Sequence, residues 1–319
     1  MELIVSNVNE YQKIFPTCKY SYNESWFHEL NKAKVDEIKY FLFKTKKYKM
    51  GIVAGIKDNI MKFPYSAPFC IFEKKNVEIS LEELEQTVKC LEKYCIENSL
   101  SRIIFRLPPS FYDETYISKI QNCLLRMEYE IVSMDLNYQF YLSKNKDIAE
   151  QMQRNAKKNL KIALGKEYSL EYCNDNIKKK KAYDIISINR KQKGYPLRMS
   201  WQQVSDTIIN MKNDFWLLKL NDEYIASAVI FKVTDEVYQV IYWGDIHGYA
   251  EDKPMNYLAY KLYEYYAKKN MKVLDIGPST EDGIPNYGLC KFKESIGCQV
   301  SSKLTFTKSL GGINNERYK

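Results

Sequence analysis

The amino-acid sequence predicts an α+β protein made of two similar domains, each a mixed β-sheet with helices on its faces. Strand-like and helix-like segments alternate along the whole chain. The order strand, proline-containing loop, helix, short strand, helix, strand occurs twice, over residues 65–142 and 242–306. A length of 319 residues is enough for two domains of ordinary size. We predict domains over residues 1–145 and 146–319, joined by a short linker at 143–146.

In the first predicted domain, apolar and alternating runs indicate several strands and two helices. Ser80 and Glu83 have the spacing of a capping box, which predicts that a helix begins there. Residues 116–125 predict a second helix. The basic turn of residues 44–47, between two apolar runs, predicts a hairpin. The segments predicted as strands are 38–43, 50–56, 59–63, 69–72, 102–107 and 131–142.

The second predicted domain begins with an amphipathic helix over residues 148–164, which ends at Gly165. The polar face of this helix is basic, and it is either a solvated face or a contact for tRNA or a sugar nucleotide. Pro254 at a first helical position predicts another helix. Further helices are predicted through Arg190 and over 201–211, and a meander of three strands over 215–220, 224–233 and 237–243.

The composition excludes several classes of protein. Apolar residues make up 45% of the chain, and 27 tyrosines and 14 phenylalanines allow packed cores, so a disordered chain is excluded. No apolar run approaches the length of a transmembrane helix and no signal peptide is evident, so we expect a cytoplasmic protein. The eight cysteines form no CxxC pair and fit reduced core thiols, and with two histidines we expect no metal site. The net charge of +8 fits a phosphate-bearing partner or plain solubility.

Residues 272–306 carry the most specific pattern of the chain. They predict, in order, a buried strand over 272–276, a loop over 279–286, a helix over 287–296 and a strand over 298–306. On this helix Lys293 lies about 40° from Leu289 and close to the apolar stripe, whereas Lys291 points the opposite way. A lysine there packs its stem on apolar surface and directs its ammonium at the group that borders it. It is either a lysine that reaches water or a functional cation.

This stretch resembles the Fem-type peptidyltransferases and the related BioF2-like acetyltransferases, which are built on the GNAT fold. The resemblance rests on a strand that ends in Asp275-Ile276-Gly277, and on Gly288-Leu289-Cys290-Lys291-Phe292-Lys293 followed by Gly297. It implies two tandem GNAT-like (acyl-CoA N-acyltransferase) domains, with the active site in the C-terminal one.

The resemblance also implies a donor site. In GNAT enzymes, backbone amides where a strand gives way to a helix bind the coenzyme A pyrophosphate, because orphan N–H groups and the helix dipole favour an anion. The equivalent residues here are Lys253, Met255 and Asn256. The usual glycine-rich loop is absent and Pro254 removes one donor, so a plain helix start is the alternative.

Catalytic and substrate-binding candidates come from the resemblance and from residues at the ends of predicted strands. Lys293 would stabilise the oxyanion or the donor phosphate. Asp275 would orient or deprotonate an acceptor amine, or else cap the following turn. Tyr242 is a further catalytic candidate, and Asp245 ends the same strand. The candidates for substrate binding are Tyr65, Arg106, Asp245 and Tyr287, with a surface arginine as the alternative for Arg106.

We therefore expect an acyltransferase that uses acetyl-CoA or another acyl-CoA, with a small amine or an amino sugar, free or nucleotide-linked, as acceptor. The first alternative is an aminoacyl-tRNA-dependent peptidyltransferase of the Fem type that acts on a cell-wall precursor. The absence of sustained heptads, which would indicate the coiled-coil arm of some Fem ligases, argues against the full ligase role. The second alternative is a non-catalytic protein that binds phosphate or nucleic acid on the same fold.

Overall fold

The computed structural model describes residues 1–75 and 77–310, and they form two compact units. The first unit contains the described residues of 1–135 and 302–310, and the second is Leu136–Ser301. This division differs from the predicted one at residues 145 and 146. The physical reason is that residues 305–309 pair with residues 102–106, so the last strand returns to the first unit.

Fifteen strands and ten helices are present in the described chain, together with four short 3-10 turns. The strands are β1 (Glu2–Ser6), β2 (Glu37–Lys44), β3 (Tyr48–Lys57), β4 (Ile60–Phe63), β5 (Glu73–Lys74), β6 (Arg102–Arg106), β7 (Glu130–Tyr141), β8 (Ser169–Tyr172), β9 (Asn213–Leu220), β10 (Glu223–Lys232), β11 (Val237–Asp245), β12 (Val273–Pro278), β13 (Thr280–Glu281), β14 (Ile284–Pro285) and β15 (Gln299–Ser309). The helices are α1 (Val8–Ile14), α2 (Ser25–Asn31), α3 (Leu81–Glu97), α4 (Glu114–Arg126), α5 (Ile148–Gln151), α6 (Arg154–Leu164), α7 (Asn176–Lys193), α8 (Trp201–Thr207), α9 (Pro254–Lys268) and α10 (Tyr287–Ser295).

The first unit contains a mixed sheet in the order β1-β2-β3-β4-β6-β15, with β5 beside β3. Only β4 and β6 are parallel neighbours among the pairs described for this unit. Helix α3 connects them, because two parallel strands require a crossover. Helix α1 packs on the β2–β3 hairpin through a buried cluster of Tyr11, Phe15, Tyr40, Leu42 and Val53.

The second unit contains a mixed sheet in the order β7-β12-β11-β10-β9-β8. Among its described pairs, β11 and β12 are the parallel neighbours, and α9 is the crossover between them. Helix α9 contributes Leu258, Ala259, Leu262, Tyr263 and Tyr266 to the main core of this unit. The helix predicted to begin at Pro254 is therefore present.

The same order of elements occurs twice along the chain, as the sequence predicts. In the first half, β4, α3 and β6 form a parallel pair with its crossover, and α4 and β7 follow. In the second half, β11, α9 and β12 do the same, and α10 and β15 follow. The two last strands are exchanged, because β7 pairs with β12 and β15 pairs with β6. The predicted α+β class, with mixed sheets flanked by helices, is confirmed.

Local predictions hold where a local signal fixes the backbone. The Ser80 hydroxyl accepts from Glu83 N at 3.1 Å and the Glu83 carboxylate accepts from Ser80 N at 3.0 Å, so the capping box is formed.

The helix predicted over 148–164 is instead interrupted, because Gln153 N donates to the Ser295 carbonyl at 2.9 Å. The helix predicted over 201–211 ends at Thr207. The predicted loop over 279–286 contains the small hairpin β13–β14.

Membrane-spanning helices, metal sites and cysteine pairing were considered for residues 1–75 and 77–310. None of their helices combines the length and the apolar character needed to cross a bilayer. No group of three or more His, Cys, Asp or Glu side chains among them is arranged to hold a metal ion. All eight cysteines are free thiols, six of them buried and two, Cys18 and Cys90, half-buried.

Candidate functional site

The parallel strands β11 and β12 separate in the middle of the second unit. Within the described chain their pairing covers residues 237–239 and 273–275, although β11 continues to Asp245. Beyond Asp275, strand β12 bends, because its register against β7 shifts between Asp275 and Gly277 and Gly277 has a φ of 74°. A positive φ of this size suits glycine. We call the region between the parts of β11 and β12 that lie beyond this pairing the opening.

Asp275 lies at the point where the strands separate. Its side chain is 0% exposed. One carboxylate oxygen accepts hydrogen bonds from Asn137 Nδ2 at 2.7 Å and from Gly277 N at 2.8 Å, and the other accepts from Gln239 Nε2 at 2.7 Å. The carboxylate therefore joins β7, β11 and β12, and its bond to Gly277 caps the turn as one reading of the sequence expected.

Lys293 lies on α10 with only 2% of its side chain exposed. Its ammonium donates to the carbonyls of Ile276 at 3.1 Å, Gly277 at 2.9 Å and Pro278 at 3.1 Å. An ammonium has three donors, so these bonds engage all of them. The Nζ atom also lies 5.3 Å from the centroid of the Tyr138 ring. Lys293 thus bonds to the carbonyls at the end of β12, beyond the point where β11 separates.

The electrostatic state of Lys293 follows from its burial. Burial lowers the pKa of Lys293 to about 8, because the charged form loses its hydration. The negative charge of Asp275 acts in the opposite direction, and the guanidinium of Arg190 lowers the pKa further. At neutral pH the side chain is therefore still mostly protonated.

Arg190 is the residue of this site that the sequence analysis missed. It is half-buried on α7, and its guanidinium carbon lies 6.0 Å from the ring centroid of Tyr195 and 5.8 Å from that of Tyr242. In the described chain it has no ion-pair partner, and its buried Nε atom has no hydrogen-bond partner. Burial lowers its pKa. A partly desolvated cation without a counter-ion is a site for an anion.

The position of Arg190 is fixed by its neighbour Asn189. The Asn189 amide donates to the Asp245 carbonyl at 2.6 Å, and a Cβ atom on Gly244 would lie 2.6 Å from the Asn189 side chain. Glycine therefore lets α7 approach β11 closely. A signal for Arg190 does exist in the sequence, because it lies four residues after the buried Ile186 on the same helix.

Tyr242 borders the same opening from β11. Its side chain is buried, its hydroxyl accepts from Met199 N at 3.1 Å, and burial raises its pKa. Two further contacts involve the segment that follows α7. Asn286, before the first residue of α10, donates to the Tyr195 hydroxyl at 2.8 Å, and Arg198 forms an exposed ion pair with Glu281. These contacts join the segment after α7 to the β13–β14 hairpin and α10.

Comparison with known proteins was made at the level of sequence and of structure. No family model and no curated protein matches the sequence. Among solved structures, FemX is similar with a TM-score of 0.69 and 11% identity, over 96% of this chain and 97% of that chain. L-PGS from Bacillus licheniformis has a TM-score of 0.59 and 9% identity, over 96% and 92%. A tandem GNAT protein from the clavulanic acid biosynthesis pathway, without AcCoA, has a TM-score of 0.52 and 6% identity, over 98% and 99%.

The protein has the tandem GNAT fold. The predicted fold class is therefore confirmed, and so is the resemblance to the Fem-type proteins at the level of the fold. At identities of 6–11% the likeness concerns the backbone arrangement, and the chemistry has to be argued from the side chains.

The predicted donor site of this tandem GNAT fold is the start of α9. Lys253 has a φ of 59° and precedes Pro254, and its ammonium lies 3.5 Å from Glu251. The Asn256 N–H already donates to the Lys253 carbonyl at 3.1 Å, and the Asn256 side chain is buried. Met255 lies in the first turn, where the helix itself supplies no carbonyl for the N–H group. Of the three predicted residues, Met255 is therefore the one whose backbone N–H has no acceptor within the helix.

The other predicted residues fall in different places. Asp245 forms an ion pair with Lys193 at 3.3 Å, and Tyr287 is 80% exposed at the first position of α10. Tyr65 and Arg106 belong to the first unit. The Tyr65 hydroxyl donates to the His28 carbonyl at 2.7 Å, and Arg106 is exposed. The second unit therefore brings together the three predicted catalytic residues, Lys293, Asp275 and Tyr242, beside Arg190.

Proposed function

We propose that the protein is an N-acyltransferase that moves an acyl or acetyl group from an acyl-CoA donor to an amine of a small molecule or amino sugar. The observation that carries this proposal is the opening between β11 and β12, bordered by a guanidinium that lacks a carboxylate partner in the described chain. The opening offers an extended donor the edge of β11 beyond Gln239, where no pairing with β12 is described, and offers an anionic group a positive charge. The tandem GNAT fold supports a transferase of this kind.

The donor would lie along the open strand edges. Acyl-CoA carries an arm with two amide groups, and amides bind well to backbone N–H and C=O groups of a strand that has lost its neighbour. Helix α9 is the next helix after β11, and its first turn would present the N–H of Met255 and the positive end of the helix dipole to the pyrophosphate. Lys253 lies at the same helix start and would add its charge.

The acceptor would be held through an anionic group at Arg190. A guanidinium binds a carboxylate or a phosphate through two parallel hydrogen bonds, and its partial burial strengthens the attraction. The rings of Tyr195 and Tyr242 lie 6.0 and 5.8 Å from the guanidinium carbon and provide apolar surface beside it. We therefore propose an amine that also carries a carboxylate or phosphate, and Tyr287, Asp245 and the first-unit residues Tyr65 and Arg106 stay proposals for further contacts.

The reaction we propose is direct transfer. The neutral amine nitrogen attacks the thioester carbonyl carbon, and the carbonyl oxygen becomes an oxyanion. The carbon–sulfur bond then breaks, the thiolate leaves with the bonding pair and takes up a proton, and the nitrogen releases one. Positioning of the two reactants and electrostatic stabilisation of the oxyanion would supply the rate.

Lys293 and Asp275 are proposed as positioning residues for this reaction. All three donors of the Lys293 ammonium are engaged, so direct contact with an oxyanion requires one of them to leave its carbonyl. Its bonds to the carbonyls of residues 276–278 would hold the end of β12 in place beside the opening. Asp275 is enclosed by three donors and sets where β12 bends.

Ligand-dependent thermal unfolding tests the donor. A bound ligand raises the midpoint of unfolding, so acetyl-CoA or long-chain acyl-CoA is expected to raise it by several degrees at saturating concentration. Free CoA, charged tRNA and uncharged tRNA are the comparisons. A shift with charged tRNA alone would favour the peptidyltransferase, and no shift with any of these ligands would contradict both proposals.

Release of the CoA thiol in the presence of a panel of amines tests the acceptor. Arg190→Gln is expected to lower kcat/KM for anionic amines by about 10- to 100-fold, because one charge-assisted contact is lost. Arg154→Gln, on the basic face of α6, removes the same charge and is expected to leave kcat/KM unchanged. Equal losses in both variants, or no loss for Arg190→Gln, would contradict the assignment.

A further inference from the structure

A groove in the first unit is lined by lysines from three separate parts of the chain. It has a volume of about 430 Å³, which lies within the range of small-molecule sites. We call it the lysine groove, and it is defined by Lys13, Lys47, Lys49 and Lys75 with Ile14 and Tyr48. Among the described residues that line it there is no carboxylate. It uses none of the residues of the proposed transfer site.

The three parts of the lysine groove are fixed to one another. Lys75 N donates to the Lys49 carbonyl at 2.9 Å, and the Lys75 ammonium donates to the Ile14 carbonyl at 2.7 Å. Helix α1 packs closely on β3, since a Cβ atom on Gly51 would lie 2.6 Å from a Phe15 ring carbon. The segments that carry the lysines therefore form a frame that is present before any ligand binds, which lowers the cost of binding.

The charge of the lysine groove is largely uncompensated. Of its four lysines, only Lys49 forms an ion pair in the described chain, with Glu83. Other lysines of the same unit do have carboxylate partners at short distance. Examples are Lys19 and Lys74 with Asp113, Lys89 with Glu85 and Lys308 with Glu92. Positive charge is therefore concentrated at this groove.

The type of cation indicates the type of ligand. Lysine ammonium groups are compact charges that bind phosphate oxygens from several directions, whereas planar recognition of a carboxylate favours arginine. Three or four ammonium groups need more negative charge than a single phosphate carries at neutral pH. Between them, Ile14 and Tyr48 provide apolar surface for the uncharged part of a ligand.

We propose that the lysine groove binds a ligand that carries two or more phosphate groups. Lys13, Lys47 and Lys75 contact the phosphate oxygens, and Lys49 contributes while it keeps its bond to Glu83. The ligand is a soluble polyphosphate compound or the polyphosphorylated headgroup of a lipid. The site is additional to the acyl-transfer reaction and does not depend on it.

Calorimetric titration with inorganic triphosphate tests the proposal on the full chain. The wild-type protein is expected to bind saturably, and more tightly at low than at physiological ionic strength. The double variant Lys13→Gln/Lys47→Gln is expected to bind about 10-fold more weakly or worse, because it loses two charged contacts. The control Lys57→Gln/Lys93→Gln removes the same charge from exposed positions outside the groove and is expected to bind within about twofold of wild type.

Vesicle sedimentation separates the two sources of phosphate. Phosphatidylcholine vesicles with and without phosphatidylinositol bisphosphate are compared for the wild type and both variants. Loss of vesicle binding in the groove variant but not in the control variant supports a lipid headgroup. Loss of triphosphate binding without loss of vesicle binding supports a soluble ligand. The proposal is overturned if triphosphate and vesicles bind equally to the groove and control variants, or bind to neither form saturably.

Discussion

Asp275 and Lys293 bind the two sides of the same residue, Gly277. The Asp275 carboxylate accepts from Gly277 N at 2.8 Å, and the Lys293 ammonium donates to Gly277 O at 2.9 Å. Buried backbone groups need partners, and at this bend the two charged side chains provide them. The shape of the opening between β11 and β12 therefore depends on both residues.

Lys293→Ala is expected to lower the free energy of unfolding by about 2–4 kcal/mol. The substitution leaves a cavity and three carbonyls that have lost their shared donor. Chemical denaturation with a linear extrapolation measures the change. Lys291→Ala on the exposed side of the same helix is the control, with a change of less than about 0.5 kcal/mol. A variant at residue 293 that is as stable as the control would contradict the structural role.

Asp275→Asn is expected to cost about 1–3 kcal/mol of stability, although it preserves the shape of the side chain. The new amide must place a donor against the donors of Gln239 or of Asn137 and Gly277. Adding Gln239→Glu restores an acceptor opposite that amide. The double variant is therefore expected to recover more than half of the loss, which a double-mutant cycle measures. Purely additive losses would show that the two side chains do not interact.

Arg190→Met is expected to separate stability from activity. Methionine keeps much of the apolar contact with the rings of Tyr195 and Tyr242 but removes a partly desolvated charge that lacks a counter-ion in the described chain. The free energy of unfolding is therefore expected to stay the same or to rise by up to about 1 kcal/mol. Thiol release with anionic amines is expected to fall strongly. A variant that loses stability by more than about 1 kcal/mol would indicate that Arg190 is structural.

His28 is expected to make the first unit sensitive to acid. It lies on α2 with 2% of its side chain exposed, its ring nitrogens have no hydrogen-bond partner, and burial lowers its pKa to about 3. The unfolded chain has the ordinary value of about 6.5, so between pH 6.5 and 3 it binds more protons than the folded chain. The contribution of His28 to the free energy of unfolding is therefore fully present above pH 6.5. It falls as the pH is lowered, by up to about 1.4 kcal/mol per pH unit.

The measurement is the free energy of unfolding of wild type and of His28→Phe between pH 7.5 and about pH 5. Phenylalanine suits a position flanked by the rings of Phe27, Tyr40 and Tyr65, and it removes the titrating group. The variant is expected to lose less stability than wild type over this range. His247→Gln, at an exposed position, is the control and should follow wild type. Parallel curves for wild type and His28→Phe would contradict the prediction.

The order of elements and the repeat were predictable from the sequence because they depend on local patterns. The capping box at Ser80 and the helix from Pro254 are fixed by residues a few positions apart. The interruption after Gln151 was not predictable, because its cause is a hydrogen bond from Gln153 to the carbonyl of Ser295. A sequence pattern does not report contacts between residues so far apart.

The candidate site was predictable in part for the same reason. Lys293 is recognisable as a lysine near an apolar stripe, but the structure places it at the centre of the buried face with Cys290 and Ile296. The same kind of signal existed at Arg190, four residues after Ile186. That Arg190 lacks a counter-ion in the described chain depends on the whole surrounding fold, and no local pattern contains it.

The pairing of β15 with β6 has a consequence for how the chain is made on the ribosome. Most of the first unit is synthesised first, yet β15, which pairs with β6, is translated only after the second unit. A fragment that stops at residue 145 leaves the edge of β6 open, and an open edge invites association with other chains. The first unit is therefore complete only in a chain that extends through β15.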